Sequence, residues 1–290
     1  MPQTYLTSLT PRIFWSPPDS ERDRPVMGAL VGQNATLIVE TGASPAHARQ
    51  FLSALAELGV APPRFAALTH WHWDHVFGTA AMNLPTIAHV ETRLHILEMA
   101  RLDWRDHALD HRVSAGQELA FIAQYVKIEL SNAERSMLVI VPPEITFTDQ
   151  VEVDLGGLTA RIIHVGGDHT SDSSVIFALE ERVVFLGDCL YNGFIGKETF
   201  YTLRRLFPLL DMLENLPADF YLLAHEPTPL TRAQFLHEIN QMRCIGELVG
   251  KKLDRKSILA RLPALLGEPV NENHVDTVDS LLRGLKEPSR

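Results

Sequence analysis

The sequence predicts an α+β protein. Apolar runs of strand length recur in both halves of the chain, some continuous and some alternating, and stretches of helical periodicity are attached to each half. No internal repeat accounts for that recurrence. A third feature, the heptapeptide Thr69-His70-Trp71-His72-Trp73-Asp74-His75 at the end of one apolar run, says where the chemistry lies.

The first two dozen residues are polar and proline-rich, with Pro17-Pro18 and a charged run Glu21–Arg24, and are expected to form an edge strand and a loop. Met27–Val31 and Ala35–Val39 flank Gly32-Gln33-Asn34, which reads as a β-hairpin. Ser44-Pro45 then opens a helix, with Ser as N-cap and Pro in the first turn. Ala48, Phe51, Leu52, Leu55 and Leu58 form its apolar face, and Gly59 suits the C-terminal cap. Phe65–Thr69 is a short apolar strand that delivers His70. Thr86–Ala88 is another, followed by a helical pattern from Glu91 to about Arg112 and a mixed helical stretch from Gln117 to Leu138. Phe121, Ile122, Tyr125 and Val126 make an apolar side there. This insert, about 91–140, reads as scaffold or as a cap over the site.

From Ile145 the texture returns to strands: Glu152–Leu155, Thr159–Ile163, Ser174–Ala178, Val183–Leu186 and Tyr221–Ala224. The remainder is helical by pattern. Phe235, Leu236, Ile239, Met242, Ile245 and Val249 recur at helical spacing, which reads as core packing, with a homodimer interface or pocket wall as the alternative. The expected organisation is a main unit over 1–230 and a helical extension over 231–290.

Three imidazoles and a carboxylate within six positions, in the pattern HxHxDH, would repel or lie half-desolvated without a cation among them. Neutral imidazole nitrogen and carboxylate oxygen are donors that zinc and iron accept. A loop leaving the C-terminal end of a strand is where α/β architectures place ligand sites. His70 and His72 can point one way while Asp74 and His75 serve a neighbouring position. Trp71 and Trp73 alternate with these residues and are expected to point into the sandwich and stiffen the loop.

Composition limits the alternatives. A hydrophobic fraction of 46% and a charged fraction of 21% are those of an ordinary globular chain, and 290 residues bury a sizeable core. A net charge of -10 argues against a nucleic-acid backbone as partner, and the short basic run Lys251–Lys256 reads as a solvated helix face. Cys189 and Cys244 do not make a disulfide framework, so reduced thiols and a cytoplasmic location are expected. Met1–Tyr5 show no basic stretch leading into an apolar one, and no run is long enough to span a bilayer, so neither leader nor membrane is expected.

Later in the chain, metal-type residues again stand where apolar strands end. His169 follows the glycine loop Val165-Gly166-Gly167-Asp168, Asp188 follows Val183–Gly187, and His225 ends Tyr221–Ala224. His164, before the glycine loop, is an alternative to His169. His107 and His111, a helical turn apart, read as a solvated face.

In this order the residues His70-x-His72-x-Asp74-His75, Asp168-His169-Thr170, Gly187-Asp188 and His225 resemble the metal-binding motifs of the metallo-β-lactamase superfamily, over roughly the first 230 residues. The resemblance implies an αββα sandwich of two mixed β-sheets with outer helices and a site at one edge. It also implies two divalent ions, zinc first with iron or manganese as alternatives. His70, His72 and His169 would hold one, Asp74, His75 and His225 the second, and Asp188 would bridge them. The match favours His169 over His164, which is left to support or core. The family's usual Asp after the second strand is here Glu40, expected to brace the ligand loop from behind.

The implied activity is that of a dinuclear hydrolase in which a metal-bridging hydroxide attacks an ester, thioester or lactone carbonyl of a small molecule, with Asp74 orienting the hydroxide. Tyr191, three residues after Asp188, resembles the lactonases' tyrosine that donates to the substrate carbonyl; packing under the loop is its plainer role. Cys189 is expected to be a buried small hydrophobe. Glyoxalase II-like thioesterases share the THxHxDH stretch, but no glutathione signature is visible in the C-terminal helices. β-Lactam or phosphodiester cleavage on the same fold is the nearest alternative. An iron-dependent oxidoreductase is disfavoured, since diiron members carry an acid where His72 stands. A non-catalytic metal-dependent binding module is the third class.

Overall fold

A computed structural model describes residues 5–286; Met1–Thr4, read above for a leader, lie outside the described residues. The first half forms strands β1 (Thr7–Thr10), β2 (Ile13–Ser16), β3 (Met27–Val31), β4 (Thr36–Val39), β5 (Pro63–Ala67), β6 (Thr86–His89) and β7 (Ile145–Phe147). They make a seven-stranded sheet in chain order, antiparallel through β4 and parallel from there to β7. The helices of this half are α1 (Pro45–Glu57), α2 (Trp73–Val76), α3 (Thr79–Met82), α4 (Val90–Met99), α5 (Asp106–Ser114), α6 (Ala120–Glu129) and α7 (Asn132–Ser136).

The second half supplies β8 (Gln150–Asp154), β9 (Thr159–His164), β10 (Ser174–Ala178), β11 (Val183–Gly187), a separate hairpin of β12 (Gly193–Ile195) and β13 (Glu198–Phe200), β14 (Phe220–Leu223) and β15 (Leu230–Thr231). The six-stranded sheet runs β15-β14-β11-β10-β9-β8, with β11 and β14 parallel and the other pairs antiparallel. Helices α8 (Leu203–Glu214), α9 (Arg232–Gly250), α10 (Arg255–Leu266) and α11 (Glu272–Gly284) complete the chain.

The period of two along each strand builds the layers. Leu37 and Val39 face the other sheet and meet Ile176, Phe185 and Leu222 in the core between the sheets. Ile38, between them in sequence, points outward onto Ala48, Phe51 and Leu55 of α1. In the second sheet Val175, Phe177 and Val184 point outward instead, under Leu209 and Leu213 of α8, Phe235 and Ile239 of α9 and Leu262 of α10. Each such side chain contributes about 1.5–3 kcal/mol by leaving water. The result is helix, sheet, sheet, helix: the αββα sandwich.

Most elements fall where the sequence puts them. Ser44 caps α1, accepting from the backbone N–H of His47, and Gly59 takes φ +64° just past its end. The stripe on α9 is core, with Phe235, Ile239, Ile245 and Val249 buried. Three expectations need correction. The single helix expected from Glu91 to Arg112 is α4 and α5, parted at residues 100–105, where Trp104 turns inward and donates its indole N–H to the carbonyl of Met99. The N-terminal region holds a β-hairpin, β1 with β2, in place of a single edge strand. Trp71 and Trp73 do not enter the space between the sheets. Trp73 packs beneath the insert with Phe77, Ile96 and Trp104, and Trp71 lies partly buried against that cluster. The insert is therefore a packed wall whose inner side chains are continuous with the ligand loop.

Candidate metal centre

Strands β9 and β11 both run antiparallel to β10, and β14 runs parallel to β11, so the C-terminal ends of all three open on one edge of the second sheet. The loop after β5 reaches that edge from the first sheet. It carries His70 and His72, and then the helical turn α2 carries Asp74 and His75. His169 lies on the loop after β9, Asp188 ends β11 and His225 follows β14. Gly187 takes φ +55°, and a Cβ there would strike the side chain of Thr69, so a glycine lets Asp188 close on the histidine loop.

All seven sequence-predicted ligand candidates meet. The donor atoms of His70, His72, His169 and Asp188 lie within 4.8 Å of one another, and so do those of Asp74, His75, Asp188 and His225. Asp188 belongs to both groups. Its Oδ2 is 3.7 Å from Nε2 of His70, 3.6 Å from His75, 3.3 Å from His169 and 3.5 Å from His225. Nε2 of His225 is 3.3 Å from Oδ2 of Asp74. Ligands about 2.0–2.1 Å from one tetrahedral ion stand roughly 3.3 Å apart, so these spacings suit shared cations.

The buried polar atoms point the same way. Among the described residues, Nε2 of His70, Nε2 of His75 and Oδ1 of Asp188 are buried without a hydrogen-bond partner. Orphaned atoms of this kind are costly unless an ion satisfies them. Nδ1 of His72 and Nε2 of His169 approach to 2.9 Å. The donor set thus fits divalent metal.

The electrostatics divide the two groups. Burial, helped by the neighbouring His75, pushes His70 well below its usual pKa, and burial with the adjacent His169 takes His72 down to about 3. Both are neutral imidazoles, the form that ligates. In the second group burial is outweighed by carboxylates. Asp74, Glu40 and Asp188 hold His75 well above its usual value, and Asp188 and Asp74 take His225 up to about 10. Burial would raise Asp74 and Asp188, but His75 and His225 beside them hold both well below the carboxylate range. In the protein alone, the second group is held together by protonated imidazoles against carboxylates.

Glu40 braces the loop as expected. Its Oε1 lies 3.2 Å from Nδ1 of His75 and accepts from the hydroxyl of Thr69 at 2.5 Å. Thr69 Oγ1 is in turn 3.0 Å from Nδ1 of His70. One carboxylate therefore stands behind both histidines, touching His75 as an ion pair and reaching His70 through Thr69. Glu40 sits at φ +66°, an uncommon conformation for a residue with a Cβ.

His164 is away from the cluster: it stacks on His89 at 3.9 Å and its Nε2 meets the carbonyl of Ser171. His107 is an exposed helix residue near Asp103. Cys189 is buried, and burial raises its thiol, so it is an inert small side chain. Tyr191 leans between His169 and His225, ring centres 6.2 and 6.0 Å away. Its hydroxyl is buried and faces the backbone of His225 without a hydrogen bond of normal geometry. Burial raises its pKa, so the phenol stays protonated at neutral pH and can donate a hydrogen bond.

The structure adds residues that no local pattern marks. Asp23 takes φ +55° in the N-terminal loop and places Oδ1 3.8 Å from Nδ1 of His225. Burial and the nearby Asp74 bring its carboxyl up to about 6. On either side of it, Arg22 and Arg24 pair with the buried Glu129 of α6, which also accepts from the N-cap Ser44. The indole N–H of Trp71 donates to Thr170, whose hydroxyl donates to the buried Asp172, tying the first ligand loop to the loop that carries His169.

Comparison with known proteins agrees with this geometry. The sequence profile of the metallo-beta-lactamase superfamily matches residues 23–225, from the Asp23 loop to the last of the ligand candidates.

The chain belongs to the metallo-beta-lactamase superfamily.

A hydroxyacylglutathione hydrolase from Prochlorococcus marinus (strain MIT 9301) is 28% identical over 197 residues, which are 65% of this chain and 76% of the relative. The same fold is seen in a metallo-beta-lactamase from Pontibacter korlensis, with a TM-score of 0.58, 16% identity and coverage of 82% of this chain and 98% of that one. A metallo-beta-lactamase family protein from Thermus thermophilus matches with a TM-score of 0.56, 21% identity and coverage of 95% of this chain and 94% of that one. Among the described residues no helix is long and apolar enough to cross a membrane.

Proposed function

We propose that this chain is a dinuclear metal-dependent hydrolase acting on the ester, thioester or lactone carbonyl of a small molecule. The observation that carries the reading is Asp188 Oδ2 standing within 3.3–3.7 Å of four histidine Nε2 atoms, at the junction of two ligand groups. His70, His72 and His169 would hold one divalent ion, Asp74, His75 and His225 the other, and Asp188 both; zinc suits these donors best, with iron and manganese as alternatives. Such ions supply a water acidic enough to lose a proton near neutrality and polarise a carbonyl.

The chain's own residues do the rest. Asp74, held ionised, accepts a hydrogen bond from the attacking water and orients it. Tyr191, held protonated, donates its phenolic O–H to the carbonyl oxygen as negative charge grows there. Water adds to the acyl carbon, the bond to the leaving oxygen or sulfur breaks, and a proton from water ends on the leaving atom. Trp73, Trp104 and Met99 exclude bulk water from one side of the site. The two free cysteines suit a reducing compartment such as the cytoplasm.

The test is a panel of esters, thioesters, lactones, β-lactams and phosphodiesters assayed on protein stripped by chelator and reloaded with zinc. Carbonyl substrates turned over only after reloading support the reading. Turnover that survives stripping, or that is confined to phosphodiesters, contradicts it.

A further inference from the structure

The ligand groups form the floor of a pocket of about 470 Å³, within the roughly 300–1,000 Å³ that drug-sized ligands occupy. Its walls come from the ligand loop, the insert and the β12–β13 hairpin, and they are strongly apolar: Trp71, Trp104, Leu119, Phe121, Ile122 and Phe194. At the mouth Phe121 of α6 and Phe194 of the hairpin face each other, ring centres 5.3 Å apart, each about 40% exposed. Two half-exposed phenyl rings paired over a cleft are an apolar surface that a ligand can cover.

The charge of the same walls is one-sided. Besides the ligand carboxylates, Asp23 and Glu118 line the pocket, and no lysine or arginine does so among the described residues. Behind the lining, Arg112 lies over the ring of Trp104, 4.9 Å from its centre, with Nη1 donating to the carbonyl of Asp103, and Arg24 pairs with Glu129. Lys197 is exposed at the hairpin tip, outside the lining. The chain's net charge of -10 adds a repulsive field at longer range.

We infer that the substrate is a neutral ester, thioester or lactone bearing an apolar alkyl or aryl group, which covers the paired rings of Phe121 and Phe194, and that acyl esters of an anionic thiol such as glutathione are excluded. This rests on the hydrolase reading for the chemistry and on the pocket walls alone for the selectivity. It separates this chain from the relative that is named a hydroxyacylglutathione hydrolase. A glutathione moiety brings carboxylates against walls that offer them Asp23 and Glu118 and no lysine or arginine side chain. An alkyl or aryl group instead removes the exposed phenyl surface from water.

The experiment is calorimetric binding of non-hydrolysable probes to the zinc-loaded protein: a series of neutral N-alkyl amides from butyl to octyl, and S-hexylglutathione. Affinity is expected to tighten about fourfold per added methylene, the worth of one buried CH₂, and S-hexylglutathione to bind at least about tenfold more weakly than the N-hexyl amide. Phe121→Ser and Phe194→Ser, at half-exposed positions that the core does not need, should each flatten the chain-length slope. A flat series in the parent protein, or tighter binding of S-hexylglutathione, overturns the inference. Kinetics on matched neutral esters and S-acylglutathiones keep the two readings apart. The expected binding series without turnover of any carbonyl substrate removes the hydrolase reading and leaves the pocket assignment; turnover that prefers the acylglutathione does the reverse.

Discussion

Oε1 of Glu40 lies 3.2 Å from Nδ1 of His75 while the same carboxylate reaches His70 through the hydroxyl of Thr69. A single acid behind the ligand loop thus supports one histidine from each donor group. Glu40→Gln keeps the shape and removes the charge. It should weaken metal affinity about 10–100-fold, read by competition with a chromophoric chelator, with little change in thermal stability of the metal-free protein. Unchanged affinity would reduce Glu40 to a packing element.

Asp188 is common to both ligand groups, whereas His225 belongs to one. Asp188→Ala and His72→Ala should abolish hydrolysis with the fold retained by circular dichroism. His225→Ala should lose one ion and keep the other, which elemental analysis after dialysis resolves. Loss of both ions from His225→Ala, or full activity in an Asp188→Ala, His72→Ala double variant, would contradict the assignment.

Tyr191 has a buried hydroxyl and no hydrogen bond to lose in the resting site. If it serves the developing oxyanion, Tyr191→Phe lowers kcat by about 10²-fold with KM nearly constant. An equal kcat returns the ring to packing between His169 and His225.

His47, on α1, is buried and neutral; desolvation, helped by the nearby Arg24, takes its pKa down to about 3. The unfolded chain binds a proton near pH 6.5 that the folded chain refuses until about pH 3, so this residue costs stability as pH falls through that window and nothing above it. The slope is about 1.4 kcal/mol per pH unit. Denaturant unfolding of metal-free protein should therefore lose less stability between neutral pH and pH 4 in His47→Gln than in the parent chain. Parallel profiles would contradict the assignment.

The ligand residues are legible in the sequence because each is announced locally: four lie in one heptapeptide, and His169, Asp188 and His225 each close a recognisable apolar strand. Layer order is legible for the same reason, since Leu37, Ile38 and Val39 alternate between the inner core and α1 as the pleat demands. What escapes reading is held by distant contacts. Asp23 stands in a polar loop with no periodicity, and distant contacts place it beside His225: Arg22 and Arg24 pair with Glu129, more than a hundred residues away, and the N–H of Val26 donates to the carbonyl of Ala224. Trp71 and Trp73 look like strand-alternating core residues, but the helical turn α2 begins between the ligands and rotates them toward the insert. The break after Met99 lacks Gly or Pro, and it is the inward turn of Trp104 that makes it. Phe194 belongs to a three-residue strand too short to announce itself.

The most direct measurement is anomalous-scattering crystallography of the chain crystallised with zinc. Two peaks are expected, one among His70, His72 and His169 and the other among Asp74, His75 and His225, with the carboxylate of Asp188 between them. A cleft without a peak at saturating zinc, or zinc bound only at surface histidines such as His107, would contradict the account.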